Sequence, residues 1–158
     1  MKEKKKEKDY RVLFRAKTEQ QTRWVYGLPA YGPDFQTITD IVANKDLNDG
    51  NYGIFGVKAE TLGQYTGFKD KHGQRIFEGD IIQYEEDVDG VLQVDLTLVF
   101  FDKETAGFME IGENATISDV IFDSFEGEII GNVHDCPDSQ RLFSKYFRKA
   151  EQKEYKND

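Results

Sequence analysis

The sequence predicts a mainly β protein: a small barrel or sandwich of short antiparallel strands, followed by one C-terminal amphipathic helix. Three observations carry this. In 91-VLQVDLTLVFFD-102, Leu92, Val94, Leu96, Leu98 and Phe100 alternate with Gln93, Asp95 and Thr97, the period of a half-buried strand. Elsewhere, short β-branched and aromatic runs are separated by Gly, Asn and Asp bends at fairly regular spacing. Only after Ser139 does the period change: Leu142, Phe143, Tyr146, Phe147 and Ala150 fall at helical spacing behind the start signals Pro137, Asp138 and Ser139.

Taken in order, 11-RVLFRAK-17 and 23-RWVYG-27 read as strands. Residues 28–40 hold two of the three prolines and read as a loop leading into a strand around Ile38 to Val42. The stretch 44-NKDLNDGNYG-53 has little core-forming content and reads as an exposed loop. Next, 64-QYTGF-68 and 74-QRIF-77 flank 70-DKHG-73, in which Asp70 can bond backbone two residues on and Gly73 can take positive φ, so a hairpin is expected. A bend at 78-EGD-80 precedes a strand at 81-IIQY-84, and 85-EEDVDG-90 reads as an acidic turn before the alternating strand. Residues 108-FMEI-111, 116-TISDVIF-122 and 127-GEIIGNV-133 complete the strands. The expected organisation is a disordered basic tail over 1–9, one β domain over 10–137 and a helix over 138–158 that frays at its end.

The formal net charge is −9 over 158 residues. Residues 1–9 carry five lysines against three acids, and residues 141–158 carry six basic residues against three acids. Removing these +2 and +3 ends leaves −14 for the body between them. An acidic body repels a polyanion, because phosphate binding needs Lys and Arg on the folded surface. Nucleic acid is therefore a poor partner for the body. No stretch approaches the roughly 20 apolar residues of a membrane-crossing helix, and the basic start has no apolar run after it, so no secretory signal is expected. With the one cysteine, Cys136, these features place the chain in a reducing bacterial cytoplasm.

Several constellations could carry chemistry. Glu85, Asp87, Asp89 and Gly90 match the start of a calcium-binding EF-hand loop, but Leu96 stands where the bidentate glutamate belongs. His134 and Cys136 could form an activated thiolate pair, although near neighbours in sequence seldom have the geometry. The other histidine, His72, sits in the hairpin turn, and no paired ligand spacing suggests zinc. Glu78 and Asp80 flank a glycine and are explained by the bend. Arg15, Arg23 and Trp24 are the best candidates for a stacking contact with single-stranded nucleic acid or another ligand. Leu142, Phe143, Tyr146 and Phe147 would form the apolar, interaction-competent face of the helix. No catalytic residue, metal or cofactor is assigned.

The stretch 60-ETLGQYTGFKDKHGQRIFEGDII-82 resembles the signature of the YopX family, small proteins found mainly in bacteriophages and prophages. Supporting blocks are 13-LFRAK-17, 24-WVYG-27 and 128-EIIGNVHDCPDSQRL-142. The resemblance implies a mostly β fold without an assigned activity, and no catalytic residue to carry over. The matching positions are Gly63, Gln64, Tyr65, Thr66, Gly67, Asp70, Gly73, Glu78, Gly79 and Asp80, of which the local reading assigns Asp70, Gly73, Glu78, Gly79 and Asp80 to turns and bends. Two departures are the Lys-rich extension before Tyr10 and the longer tail after Leu142, so the helix lies largely outside the shared region.

The leading functional expectation is a non-enzymatic phage or prophage accessory protein that binds a host or phage protein, with homo-oligomerisation open. In one version the acidic surface occupies the basic face of a host protein. The alternatives are a nucleic-acid-binding small β-barrel and a hydrolase or transferase using His134 and Cys136.

Overall fold

A computed structural model describes residues 12–20, 23–112, 117–118, 126–136 and 138–144. The chain divides into two compact units, residues 1–67 and 68–158. Both are built from antiparallel sheet, and neither sheet closes into a barrel.

The first unit contains β1 (Phe14–Lys17), β2 (Trp24–Tyr31), β3 (Ile38–Ala43), β4 (Gly53–Gly56) and the start of β5 (Gly63–Lys69). Their order across the sheet is β4-β3-β2-β1-β5. One face is apolar: Ala16, Val25, Ile41 and Val57 are buried together, with Phe55 and Leu62 packed on them. A bridge between Thr18 and Val57, and the Glu19 N–H donating to the Gly56 carbonyl at 3.1 Å, join the segment after β1 to the end of β4. Gly27 is needed for this packing, because a methyl there would collide with the Val42 carbonyl on β3.

β2 is longer than the sequence predicts and runs through Pro29. Phe14 is the first residue of β1 and pairs with Gly27, so among the described residues β2 beyond Gly27 is paired with β3 alone. Proline is tolerated where one strand edge makes no ladder bonds. The stretch 44–53 is not a plain exposed loop either. It holds a 3-10 turn, Lys45–Leu47, and the buried Asn48, and it leads into β4, an edge strand absent from the sequence-based assignment.

The second unit begins within β5. The end of β5 and β6 (Arg75–Phe77) form the expected hairpin, with Gly73 N–H donating to the Asp70 carbonyl. β7 (Asp80–Val88), β8 (Val91–Asp102), β9 (Gly107–Gly112), β10 (Ile117–Ser118) and β11 (Glu128–Asn132) form a sheet ordered β10-β9-β8-β7-β11. Both faces are covered. Ile81, Leu98, Phe100, Met109, Ile111 and Phe143 cluster on one, and Ile82 and Val99 meet Ile76 on the other.

Two elements of the second unit differ from the sequence-based expectation. Residues 85–88 are not a turn: β7 continues to Val88, and the turn is Asp89–Gly90 alone, both at positive φ. That is the two-residue geometry whose twist suits a hairpin. The amphipathic C-terminal helix is also absent from the described residues, which show one helical turn, Ser139–Leu142. Phe143 is 2% exposed and belongs to the core of the second unit, so it cannot serve an outward face. Tyr146 and Phe147 lie outside the described residues.

Candidate functional site

The residues singled out from sequence fall into three structural situations. Arg15 and Lys17 on β1 lie over the Trp24 ring, at 4.6 and 5.6 Å from its centroid, and Arg23 lies 4.8 Å over Phe55. The register explains this, since Lys17 pairs with Trp24 and Arg15 with Tyr26, so these side chains share one face. Each such cation–π contact contributes about 0.5–2 kcal/mol, depending on burial. Arg15 is only 7% exposed, so its guanidinium is spent inside the unit. The structure brings Arg15 and Trp24 together on one face, with Arg15 buried, Trp24 half-buried and Arg23 exposed.

His134 and Cys136 belong to a turn organised by Asn132. Its Oδ1 accepts from the backbone N–H of His134 at 2.9 Å and of Asp135 at 3.1 Å, while its Nδ2 donates to the Asp135 carboxylate at 2.6 Å. Cys136 packs against the Phe143 cluster, whereas His134 is exposed. Their surroundings therefore differ: the thiol packs on the core cluster and the imidazole is exposed.

The central signature residues hold the second unit's chain crossings. Asp70 is buried; its Oδ1 accepts from His72 and Gln74 N–H at 2.9 Å each, and its Oδ2 accepts from Ile129 N–H at 3.2 Å. Beside it, Glu128 bonds Lys71 Nζ at 2.9 Å and lies 3.4 Å from His72 Nε2. The hydrogen bond and charge of Lys71, aided by His72, hold the Glu128 carboxyl below its ordinary range, and Lys71 is raised in turn. Buried Asp80 accepts from Phe77 N–H at 2.8 Å across the Gly79 bend. Among the described residues, no group of three or more His, Cys, Asp or Glu side chains is placed to hold a metal ion.

What remains open to a partner lies elsewhere. Among the described residues, β9 pairs with β8 as far as Thr97, and β11 pairs with β7 as far as Gln83. Beyond those positions, among the described residues, β7 and β8 continue as a two-stranded arm from Tyr84–Asp95 out to Val88–Val91. The arm contains Glu85, Glu86, Asp87, Asp89 and Asp95 and no Lys or Arg between 84 and 95. Val91, Leu92 and Val94 are nonetheless exposed, Leu92 by 62% and Val94 by 49%.

A second exposed feature is Phe35, 84% exposed at φ +54°. Its turn is fixed by Asp34, which accepts from Gln36 and Thr37 N–H and from the Thr37 hydroxyl at 3.0–3.1 Å. These bonds to its ionised form hold the Asp34 carboxyl below its usual range.

The model of the family described as "YopX protein" matches residues 13–139. This chain belongs to the YopX family. No curated protein matches it. Among solved structures, the YopX-family chain is similar to protein EF1440 from Enterococcus faecalis, with 21% identity and a TM-score of 0.51. The match covers 83% of this chain and 97% of the other, and it shows a shared fold. In this YopX-family protein the β7–β8 arm was the feature missed from sequence. Its signals were the Asp89–Gly90 pair, a strong hairpin marker, and an alternation in β8 that runs on past the last paired residue of β9.

Proposed function

We propose that this YopX-family chain is a non-enzymatic phage or prophage accessory protein that works in the bacterial cytoplasm by binding another protein. The observation that carries this reading is the β7–β8 arm, which projects past its neighbouring strands with apolar side chains in water. Exposed apolar surface rimmed by polar groups marks interaction sites. Phe35 gives secondary support as an aromatic held rigidly in solvent. The residues proposed for base stacking or thiol chemistry are engaged in packing and turn formation, so neither alternative gains a specific observation.

The test is affinity capture with the full chain from nuclease-treated bacterial lysate at low and high salt, read by mass spectrometry. A protein retained in stoichiometric amount at low salt is the expected result. Recovery of only the chain itself and sheared nucleic acid would overturn the reading.

A further inference from the structure

The arm presents two different faces. On one, Leu92 and Val94 form a row along β8, and their cross-strand partners on β7 are Asp87 and Glu85. Directly opposed side chains in an antiparallel pair stand about 5 Å apart. Successive residues on one face of a strand are about 6.8 Å apart. This face is thus an apolar row beside an anionic row, with matched spacing. The apolar row continues inward through half-buried Leu96 to buried Leu98, so the core anchors it. The other face mixes the Val88–Val91, Glu86–Gln93 and Tyr84–Asp95 pairs and offers no such separation.

Charge narrows the occupant. The five carboxylates and the absence of any cation over residues 84–95 repel nucleic acid, and a second copy would bring five carboxylates against five. A basic amphipathic helix has the complementary pattern. Its side chains at i and i+4 repeat every 6 Å or so along one face, close to the two-residue repeat of a strand. We propose that this face of the β7–β8 arm docks a basic amphipathic helix of a partner protein. The helix lays apolar side chains on Leu92 and Val94 and pairs Lys or Arg with Glu85 and Asp87. This inference rests on the protein-binding reading above and adds the surface and the partner's chemistry.

The experiment measures binding of the full chain to a fluorescently labelled helical peptide made only of leucine and lysine, with its leucine and glutamate counterpart as control. The leucine–lysine peptide is expected to bind, more weakly as salt rises, and the glutamate counterpart is expected not to. The paired change Glu85→Gln with Asp87→Asn is expected to weaken binding about fivefold or more. Leu92→Thr with Val94→Thr is expected to do the same, with an unchanged urea midpoint showing that the fold is intact. The equal charge change placed elsewhere, Glu60→Gln with Asp49→Asn, is expected to leave binding as it was.

Equal loss at both charge pairs would reduce the effect to net charge and overturn the assignment. Equal binding by the arm variants, or binding of the glutamate peptide, would overturn it as well. So would failure of the leucine–lysine peptide to bind the unaltered chain. Lysate capture separates the two levels of inference. A partner held equally by the Glu85→Gln, Asp87→Asn protein removes only this surface. No partner on either protein removes the protein-binding reading itself.

Discussion

Asn48 serves Tyr26 as a strand neighbour would: its Oδ1 accepts from the Tyr26 N–H at 2.9 Å and its Nδ2 donates to the Tyr26 carbonyl at 2.8 Å. A side-chain amide thus supplies both halves of a ladder contact from within a turn-rich segment. The same Nδ2 also donates to the Asn44 carbonyl. Replacing Asn48 with leucine removes all three bonds in a buried position. A loss of about 2–3 kcal/mol is expected, read as a lower urea midpoint at unchanged slope. An unchanged midpoint would mean the amide contributes nothing to the first unit.

Asp70 makes a comparable tie in the second unit, joining the β5–β6 hairpin turn to β11 through Ile129. Asp70→Ala leaves these amides without their carboxylate acceptor and should cost about 2–4 kcal/mol. Hydrogen exchange of the Ile129 amide is the sharper readout, and it should accelerate more than that of Val25 in the first unit. Equal acceleration at both amides would argue for global unfolding and against a local tie.

The Lys71–Glu128–His72 cluster sets a pH dependence of defined sign. The folded state holds the Glu128 carboxyl below its ordinary range, chiefly through the Lys71 hydrogen bond. Its contribution to stability is therefore complete above the ordinary glutamate pKa and is lost as pH falls through the lowered folded value. A carboxyl NMR titration should place the Glu128 midpoint below the other exposed glutamates. Lys71→Met should return it towards them, and a midpoint that does not move would assign the shift to another cause.

Phe35 occupies the left-handed region, where a β-carbon costs roughly 1–2 kcal/mol. Phe35→Gly should therefore stabilise the protein by about 1 kcal/mol in thermal or urea unfolding, since the exposed ring adds little to the core. A destabilised variant would show that the ring has packing value. If the same variant also captures less partner, the strain is retained for binding.

Trp24 is the chain's one tryptophan, so its fluorescence reports directly on the Arg15–Lys17 arrangement. Single-stranded DNA should leave that emission unchanged at moderate salt. A quench that survives removal of residues 1–9 would reopen the stacking reading.

Much of this architecture was legible because β-sheet periodicity writes itself into sequence wherever a strand separates core from water. β8 shows this through Leu96, Leu98 and Phe100, and the β5–β6 hairpin through Asp70 and Gly73. The misreadings share a physical cause. Pro29 is ordinarily a strand breaker, and only the short reach of β1 makes it harmless. Residues 85–88 are too acidic to suggest a buried strand, and they are indeed strand without burial. Asn48 looks like a loop residue because its value lies in two bonds to a residue 22 positions away. Of the positions at helical spacing after Ser139, Leu142 and Phe143 are among the described residues, and Phe143 is a core plug following a single turn. The candidate site escaped notice for a related reason: a projecting hairpin has no core, so its pattern is judged by charge.

The arm's acidity also bears on colloidal behaviour. Two strand edges without neighbours among the described residues, with Val91, Leu92 and Val94 exposed on β8, are the ingredients of a template for edge-to-edge stacking of one copy upon the next. Glu85, Glu86 and Asp87 place like charges along such a stack at every step, acting as gatekeepers against fibril growth. Replacing them with neutral residues, or screening them with concentrated salt, would remove that guard. The carboxylates proposed to meet a cationic partner would thus also oppose stacking of the arm on a second copy.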